Sequence, residues 1–246
     1  METVLQVERE TGCRVFTLNR PQRRNALSAE LVEALIAELQ QALDDDVALL
    51  VFRGEGKNFS AGFDFTGYED ESEGDLLLRL VRIQTLLDMV ATAPCATLGL
   101  AHGRNFGAGA DLFAACQQRV CAPDASFRMP GLNFGLVLGT RRFGRIAGRE
   151  QALRILSQTQ EFDAGNAVEI GFAASCAEQK DWRDVIGRAS DAASMLDASA
   201  RRQLHRALLD DAQGYGSDRD MALMVRSAAR PGLKVRIAGY LQASRR

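Results

Sequence analysis

Two stretches limit what this chain can fold into. "VALLVFRGEG", Val47 to Gly56, and "CATLGLAHG", Cys95 to Gly103, are apolar on successive residues rather than on alternate ones. A strand that is apolar on both faces must be covered on both, as in a parallel sheet flanked by helices. Helical periodicity lies beside both runs. Ser28 reads as the N-cap of "AELVEALIAELQQALDDD", and a second helical stretch runs from about Leu76 to Ala91, closed by Pro94. Ahead of them "TVLQVERE" and "CRVFTLNR" alternate like strands about Thr11 and Gly12, which predicts an opening hairpin. "RVCAPDASFRM" adds two short strands, so strand and helix alternate to about residue 130, the pattern of an α/β domain. Beyond Gly139 the chain reads as mostly helical, with "REQALRILS", "DWRDVIGRASDAASML", "ARRQLHRALLDDA" and "LKVRIAGYLQAS" the clearest pieces. No linker and no strict internal repeat divides it.

Composition removes several classes of function. A net charge of -2 over 246 residues argues against a dedicated binder of nucleic acid or of an anionic membrane surface. The arginine pairs Arg23-Arg24, Arg201-Arg202 and Arg245-Arg246 are scattered, without the stacking aromatics of an RNA-binding stripe. No apolar run reaches the ~18 to 20 residues that span a bilayer, and "METVLQVERE" is acidic where a signal peptide is basic. A cytoplasmic protein with no membrane partner is expected. Its five cysteines, Cys13, Cys95, Cys116, Cys121 and Cys176, form no Cys-x-x-Cys pair and read as reduced core thiols, with no metal site.

Chemistry enters with "GRNFGAGADLFAACQ", Gly103 to Gln117, a bare strand-to-helix turn directly after a buried strand. The first amides of a helix lack intrahelical partners and carry the positive end of its dipole, so small residues there let a ligand reach the backbone. A dinucleotide fingerprint fails, because Leu112 stands where Gly107 and Gly109 require a third glycine. A nucleophile elbow fails too, since Ala108 holds the position of the serine or cysteine. What remains is an oxyanion hole, with a second N–H supplied by another small-residue turn after a buried strand, "GKNFSAGFD", Gly56 to Asp64.

At these residues the sequence resembles the enoyl-CoA hydratase/isomerase (crotonase) superfamily. Four segments carry the likeness in order: "NRPQRRNALS", "FSAGFD", "HGRNFGAGADLFAACQQRVCAPDASFRMP" and "NFGLVLGTRRFGRIAG"; "FDAGNAVEIGFA" is a fainter fifth. The resemblance implies an α/β fold, a spiral of ββα units over residues 1–190, with a C-terminal helical oligomerisation or lid region over 191–246. It implies a homotrimer or dimer of trimers acting on an acyl-CoA thioester, with coenzyme A part of the substrate and no further cofactor. By motif, the oxyanion-hole amides belong to Phe63, after Ala61 and Gly62, and to Ala108, between Gly107 and Gly109. Arg24, Asn25, Ala26 and Leu27 match the segment that lies along the CoA moiety, and Asp64 matches a structural acid.

The chain departs from the family's pattern at its carboxylates. Relatives that add water across an enoyl thioester carry two glutamates, and here Asp111 stands for the first and Gly131 for the second. A dehalogenase-like relative has an aspartate near "GLVLGTRRF", where this chain has Gly139. Asp111 is either the surviving acid–base group or an acid that favours the helix start. Glu69, Asp70, Glu71 and Glu73 are candidates to replace the missing acid. Gly131 and Leu132 are expected to face the acyl group. Arg128, Arg141 and Arg142 bring positive charge that would meet a carboxylated acyl group, and the alternative for Arg141 and Arg142 is a place at the surface. The alternatives to a hydratase or isomerase are a decarboxylase of malonyl-type thioesters and a non-catalytic CoA-thioester binder.

Overall fold

The computed structural model describes residues 3–209 and 217–244; Arg245, Arg246 and the "DDA" that ends the third C-terminal helical piece lie outside them. The opening hairpin forms as its alternation requires, β1 (Leu5–Glu10) pairing antiparallel with β2 (Cys13–Leu18). Helix α1 (Ala29–Asp44) begins where Ser28 accepts a hydrogen bond from the Leu31 amide at 3.3 Å. The two-sided runs become β3 (Leu49–Gly54) and β4 (Ala96–Ala101), parallel neighbours beside β2. Between them α2 (Glu73–Ala91) starts three residues before its apolar spacing does, because Ser72 and Asp75 form a reciprocal capping box.

Next come β5 (Arg104–Phe106), α3 (Ala108–Ala115), β6 (Gln118–Cys121) and β7 (Ser126–Arg128). A 3-10 turn at Pro130–Phe134 leads to α4 (Thr140–Ala147), α5 (Arg149–Gln158), β8 (Phe162–Asp163), α6 (Ala164–Glu169) and β9 (Ser175–Cys176). The chain continues through α7 (Trp182–Ser194), α8 (Ala198–Leu209), α9 (Ser217–Ala228) and α10 (Leu233–Ala243). The large sheet has the order β1-β2-β3-β4-β6-β9 and a smaller one the order β5-β7-β8. Successive passes send one strand to the large sheet and the next to the small one, as β4, β5 and α3 do, so the ββα units wind as a spiral.

The burial of β3 and β4 on both faces now has its cause. On one face Phe16, Leu50 and Phe52 pack with Leu31, Leu35 and Leu87 from α1 and α2. On the other Val15, Val51, Leu98 and Leu100 lie under Trp182, Val185 and Ala189 of α7. Each such side chain contributes roughly 1.5–3 kcal/mol when fully buried. A third cluster joins Leu76 and Leu80 of α2 to Phe134, Met224, Leu233 and Ile237, and this returns α9 and α10 across the spiral.

Candidate active site

Aromatic packing fixes the start of α3. Phe113 stacks on Phe127 with ring centroids 5.2 Å apart and meets Phe172 at 5.6 Å, which presses Gly107 and Ala108 against the loop after β3. Hydrogen bonds then hold that loop on three sides. The Leu27 amide donates to the Gly62 carbonyl at 2.7 Å, the Ala61 amide to Arg24 at 2.9 Å, and the Phe106 amide to Ser60 at 3.2 Å. Gly107 donates to the Arg128 carbonyl at 2.8 Å. The amides of Phe63 and Ala108 are passed over by this network and donate to no acceptor among the described residues. Both residues line one cavity.

The glycines here answer to the neighbouring loop as much as to a ligand. A Cβ on Gly62 would stand 2.3 Å from the Phe106 carbonyl oxygen and 3.1 Å from the Ala108 nitrogen, and one on Gly109 would stand 2.3 Å from the Ser60 oxygen. Gly62 also has φ +84°, a region that side chains disfavour. Bare backbone at both positions is what brings the two free amides into one cavity.

Among the described residues that line this cavity, Asp111 is the single carboxylate and none is lysine or arginine. Its walls are Phe65, Leu132, Leu136, Leu138 and Leu156, with Gly131 on the side where the second acid of the motif would project. Asp111 is 2% exposed and its Oδ1 has no hydrogen-bond partner, so it takes no helix-start amide there. Burial pushes its carboxyl up to about 8 against the opposing charge of Arg142. Gly139 makes room for the group, because a Cβ at that position would fall 1.7 Å from Oδ1. An aspartate at 139 and the carboxyl of Asp111 therefore exclude one another.

The substitute acids do not reach this space. Glu71 pairs with Arg79, Glu73 accepts the Lys234 amide at 3.2 Å, and Glu69 lines an outer cleft. Arg141 pairs with Asp220 at 2.8 Å and Arg142 with Asp88 at 3.4 Å, and neither lines the cavity. A side chain at Gly131 would meet the Leu136 carbonyl oxygen at 3.1 Å, a contact that needs a shift of a few tenths of an ångström.

Ala61, Phe63, Phe65, Phe106 and Tyr240 are shared between the inner cavity and the outer cleft, which also presents Arg23, Arg24, Arg104 and Arg128. Of the segment 24–27, Arg24 and Ala26 line the cleft, whereas Asn25 and Leu27 lie beneath it. Asn25, buried at φ +52°, donates to the carbonyls of Glu55 and Asn58 and accepts the Arg20 amide, each at 2.8 Å. It shapes the wall rather than facing a ligand. Asp64 is likewise a strut, paired with Arg20 at 2.8 Å. Burial raises its carboxyl, yet the hydrogen bonds from Thr66 and Arg20 outweigh burial and hold it below its ordinary range.

Two features of the site had no sequence signal. Tyr240 arrives from α10 to stand 5.2 Å from Phe134 and 6.2 Å from Phe65, and Arg79 lies 4.3 Å over the Phe63 ring. Neither contact follows from spacing along the chain.

In a spiral of ββα units, two unpartnered amides and a buried carboxyl line one cavity, and comparison with known proteins gives the family. The sequence profile of the family described as Enoyl-CoA hydratase/isomerase matches residues 8–214. The "probable enoyl-CoA hydratase" of Mycobacterium tuberculosis is 33% identical over 177 residues, covering 70% of this chain and 71% of that one. A solved structure from Bordetella parapertussis, bearing the enoyl-CoA hydratase/isomerase name, is 58% identical with a TM-score of 0.95 and covers 98% of this chain and 99% of its own. An enoyl-CoA hydratase structure from Bacillus halodurans, 20% identical, shares the fold at a TM-score of 0.84 over 96% of this chain and 99% of its own. The chain belongs to the enoyl-CoA hydratase/isomerase family, which acts on acyl-CoA.

Proposed function

We propose that the amides of Phe63 and Ala108 form an oxyanion hole for the thioester oxygen of an acyl-CoA, and that Asp111 moves the proton at the enolate they stabilise. The observation that carries this reading is the pair of unpartnered amides lining one cavity with an isolated carboxyl. Charge that develops on a thioester oxygen meets donors already in place, worth on the order of 3 kcal/mol each. The outer cleft, with Arg23, Arg24, Arg104 and Arg128, suits the phosphates of coenzyme A, and the apolar inner walls suit an uncharged acyl group. Coenzyme A enters as part of the substrate, and α10 acts as a lid through Tyr240. The spiral core is then residues 1–190, and 191–246 carry the lid and oligomerisation surface.

Two-carboxylate addition of water is disfavoured, because Gly131 supplies no second acid and no carboxylate besides Asp111 lines the cavity among the described residues. A single carboxyl suffices for migration of a double bond. As carboxylate, Asp111 takes a proton from one carbon of the acyl group and returns it to another, so kcat/KM rises with pH toward about 8. Against the apolar lining, the raised pKa alone favours a second reading, decarboxylation of a malonyl-type thioester. Carbon dioxide leaves, the enolate rests on the two amides, and neutral Asp111 protonates its α-carbon, so the rate falls above about 8.

The test is a mass-spectrometric screen of enoyl-, hydroxyacyl- and malonyl-type CoA thioesters in deuterated water across a pH series, with Asp111→Asn alongside. Turnover or α-deuterium uptake that is lost in the variant supports Asp111 as the proton carrier, and the direction of the pH profile assigns the reaction. Activity unchanged in the variant removes Asp111 from the mechanism. Binding with no turnover of any thioester favours a non-catalytic CoA-ester binder.

A further inference from the structure

Strand β9 joins the edge of the large sheet through two parallel rungs to β6, Val120 with Ser175 and Cys121 with Cys176. The thiols of that second rung face each other with sulfurs 3.7 Å apart. Cys13, Cys95, Cys116 and Cys121 are buried, as expected of core thiols, but Cys176 is exposed, a correction to the reading of all five as core residues. Neither sulfur of the pair has a short alternative partner, since Cys176 Sγ is 3.8 Å from the Ala164 carbonyl oxygen and Cys121 Sγ is 4.0 Å from that of Ser175.

We infer that Cys121 and Cys176 form a redox-active dithiol, which a hydroperoxide converts to an intramolecular disulfide that clamps edge strand β9 to β6. The backbone already meets the requirement. Paired strands lie ~4.8 Å apart, inside the ~4.4–6.8 Å between Cα atoms that a disulfide spans. The sulfurs must close by less than ~2 Å to reach bonding distance, within the range of side-chain rotation.

The order of events follows from exposure. The Cys176 sulfur attacks the hydroperoxide, the O–O bond breaks, and a sulfenic acid forms with release of water or an alcohol. Cys121 Sγ then attacks the Cys176 sulfur; the S–S bond forms, the S–O bond breaks, and a water leaves with the Cys121 proton. The two thiols are oxidised by two electrons and the peroxide is reduced by two. Burial first, and the neighbouring Cys176 next, push the Cys121 thiol up to about 12, so Cys121 is not the sulfur that meets the peroxide first. The clamp adds to sparse backbone ties around β9, chiefly the Ala174 amide on the Arg119 carbonyl at 2.7 Å and the Ala177 amide on the Cys121 carbonyl at 3.0 Å.

The experiment treats the native, fully reduced chain with hydrogen peroxide, then counts free thiols and maps peptides without reduction. Expected are the loss of two of the five thiols, a linked pair of peptides holding Cys121 and Cys176, and an intact mass lower by two hydrogens. Cys176→Ser, at an exposed position, is expected to keep its four remaining thiols under the same treatment. Cys121→Ser is expected to leave Cys176 as a sulfenic acid that dimedone traps. Wild-type Cys176 that advances to sulfinic acid, links two chains, or stays reduced overturns the inference.

Discussion

Asp111→Asn removes a proton-binding group while keeping its shape, and the structure sets the size and sign of the effect on folding. Burial raises the carboxyl from an ordinary 3.8 to about 8. Between those values the folded protein keeps a proton that the unfolded chain has released, so stability falls as pH rises. Each unit of that interval is worth about 1.4 kcal/mol. From pH 5 to pH 8 the wild type is expected to lose about 3–4 kcal/mol relative to the variant, with no further loss well above the folded pKa. The cost of burying an asparagine amide does not depend on pH and drops out of the comparison, as do all other ionisable groups. The assay is urea unfolding of both proteins at several pH values, followed through the fluorescence of Trp182, the single tryptophan and 5% exposed. The variant's stability relative to wild type should grow steadily with pH while its turnover drops by about 10²–10⁴. Parallel stability curves would mean instead that Asp111 ionises in the folded state as it does in the unfolded one.

Gly62→Ala places a Cβ 2.3 Å from the Phe106 carbonyl at φ +84°, and is expected to lower turnover at least ~100-fold and to reduce the melting temperature; circular dichroism and the thioester assay check both. Gly131→Glu returns an acid to the cavity at the cost of a small shift of Leu136, and is expected to raise water addition to an enoyl thioester at least ~10-fold, read by loss of enoyl absorbance. Arg24→Ala with Arg104→Ala should raise KM for the CoA ester several-fold with kcat unchanged, and leave KM for the pantetheine thioester as it was. The exposed Met195, Leu204 and Leu208 are expected to be covered in a trimer or a dimer of trimers of the 26.8 kDa chain, a mass that light scattering reads directly.

Local signals carried most of the fold. Ser28, the hairpin about Gly12 and the two-sided runs of β3 and β4 act within a few residues of themselves, so pattern alone finds them. Strand β5 has three residues and is defined by pairing with β7, so no period marks it. The small residues of the two turns are plain in the sequence, but their reason is not. Gly62 and Gly109 are bare because carbonyls of Phe106 and Ser60 occupy the space of a side chain. The same holds for Gly139, which reads as a missing acid until the Asp111 carboxyl is seen in its place. The absence of Glu69, Asp70, Glu71 and Glu73 from the cavity lining, and the approach of Tyr240 from α10, are tertiary facts that no spacing encodes.

Whether the Phe63 and Ala108 amides hold a thioester oxygen can be read by difference infrared spectroscopy of a bound acyl-CoA carrying a ¹³C-labelled thioester carbonyl. Two aligned donors in an apolar cavity polarise that bond more than water does. A carbonyl band shifted below its aqueous frequency on binding to wild type, and returned toward it in Gly62→Ala, is the expected result. A band at or above the aqueous frequency in bound wild type would contradict it.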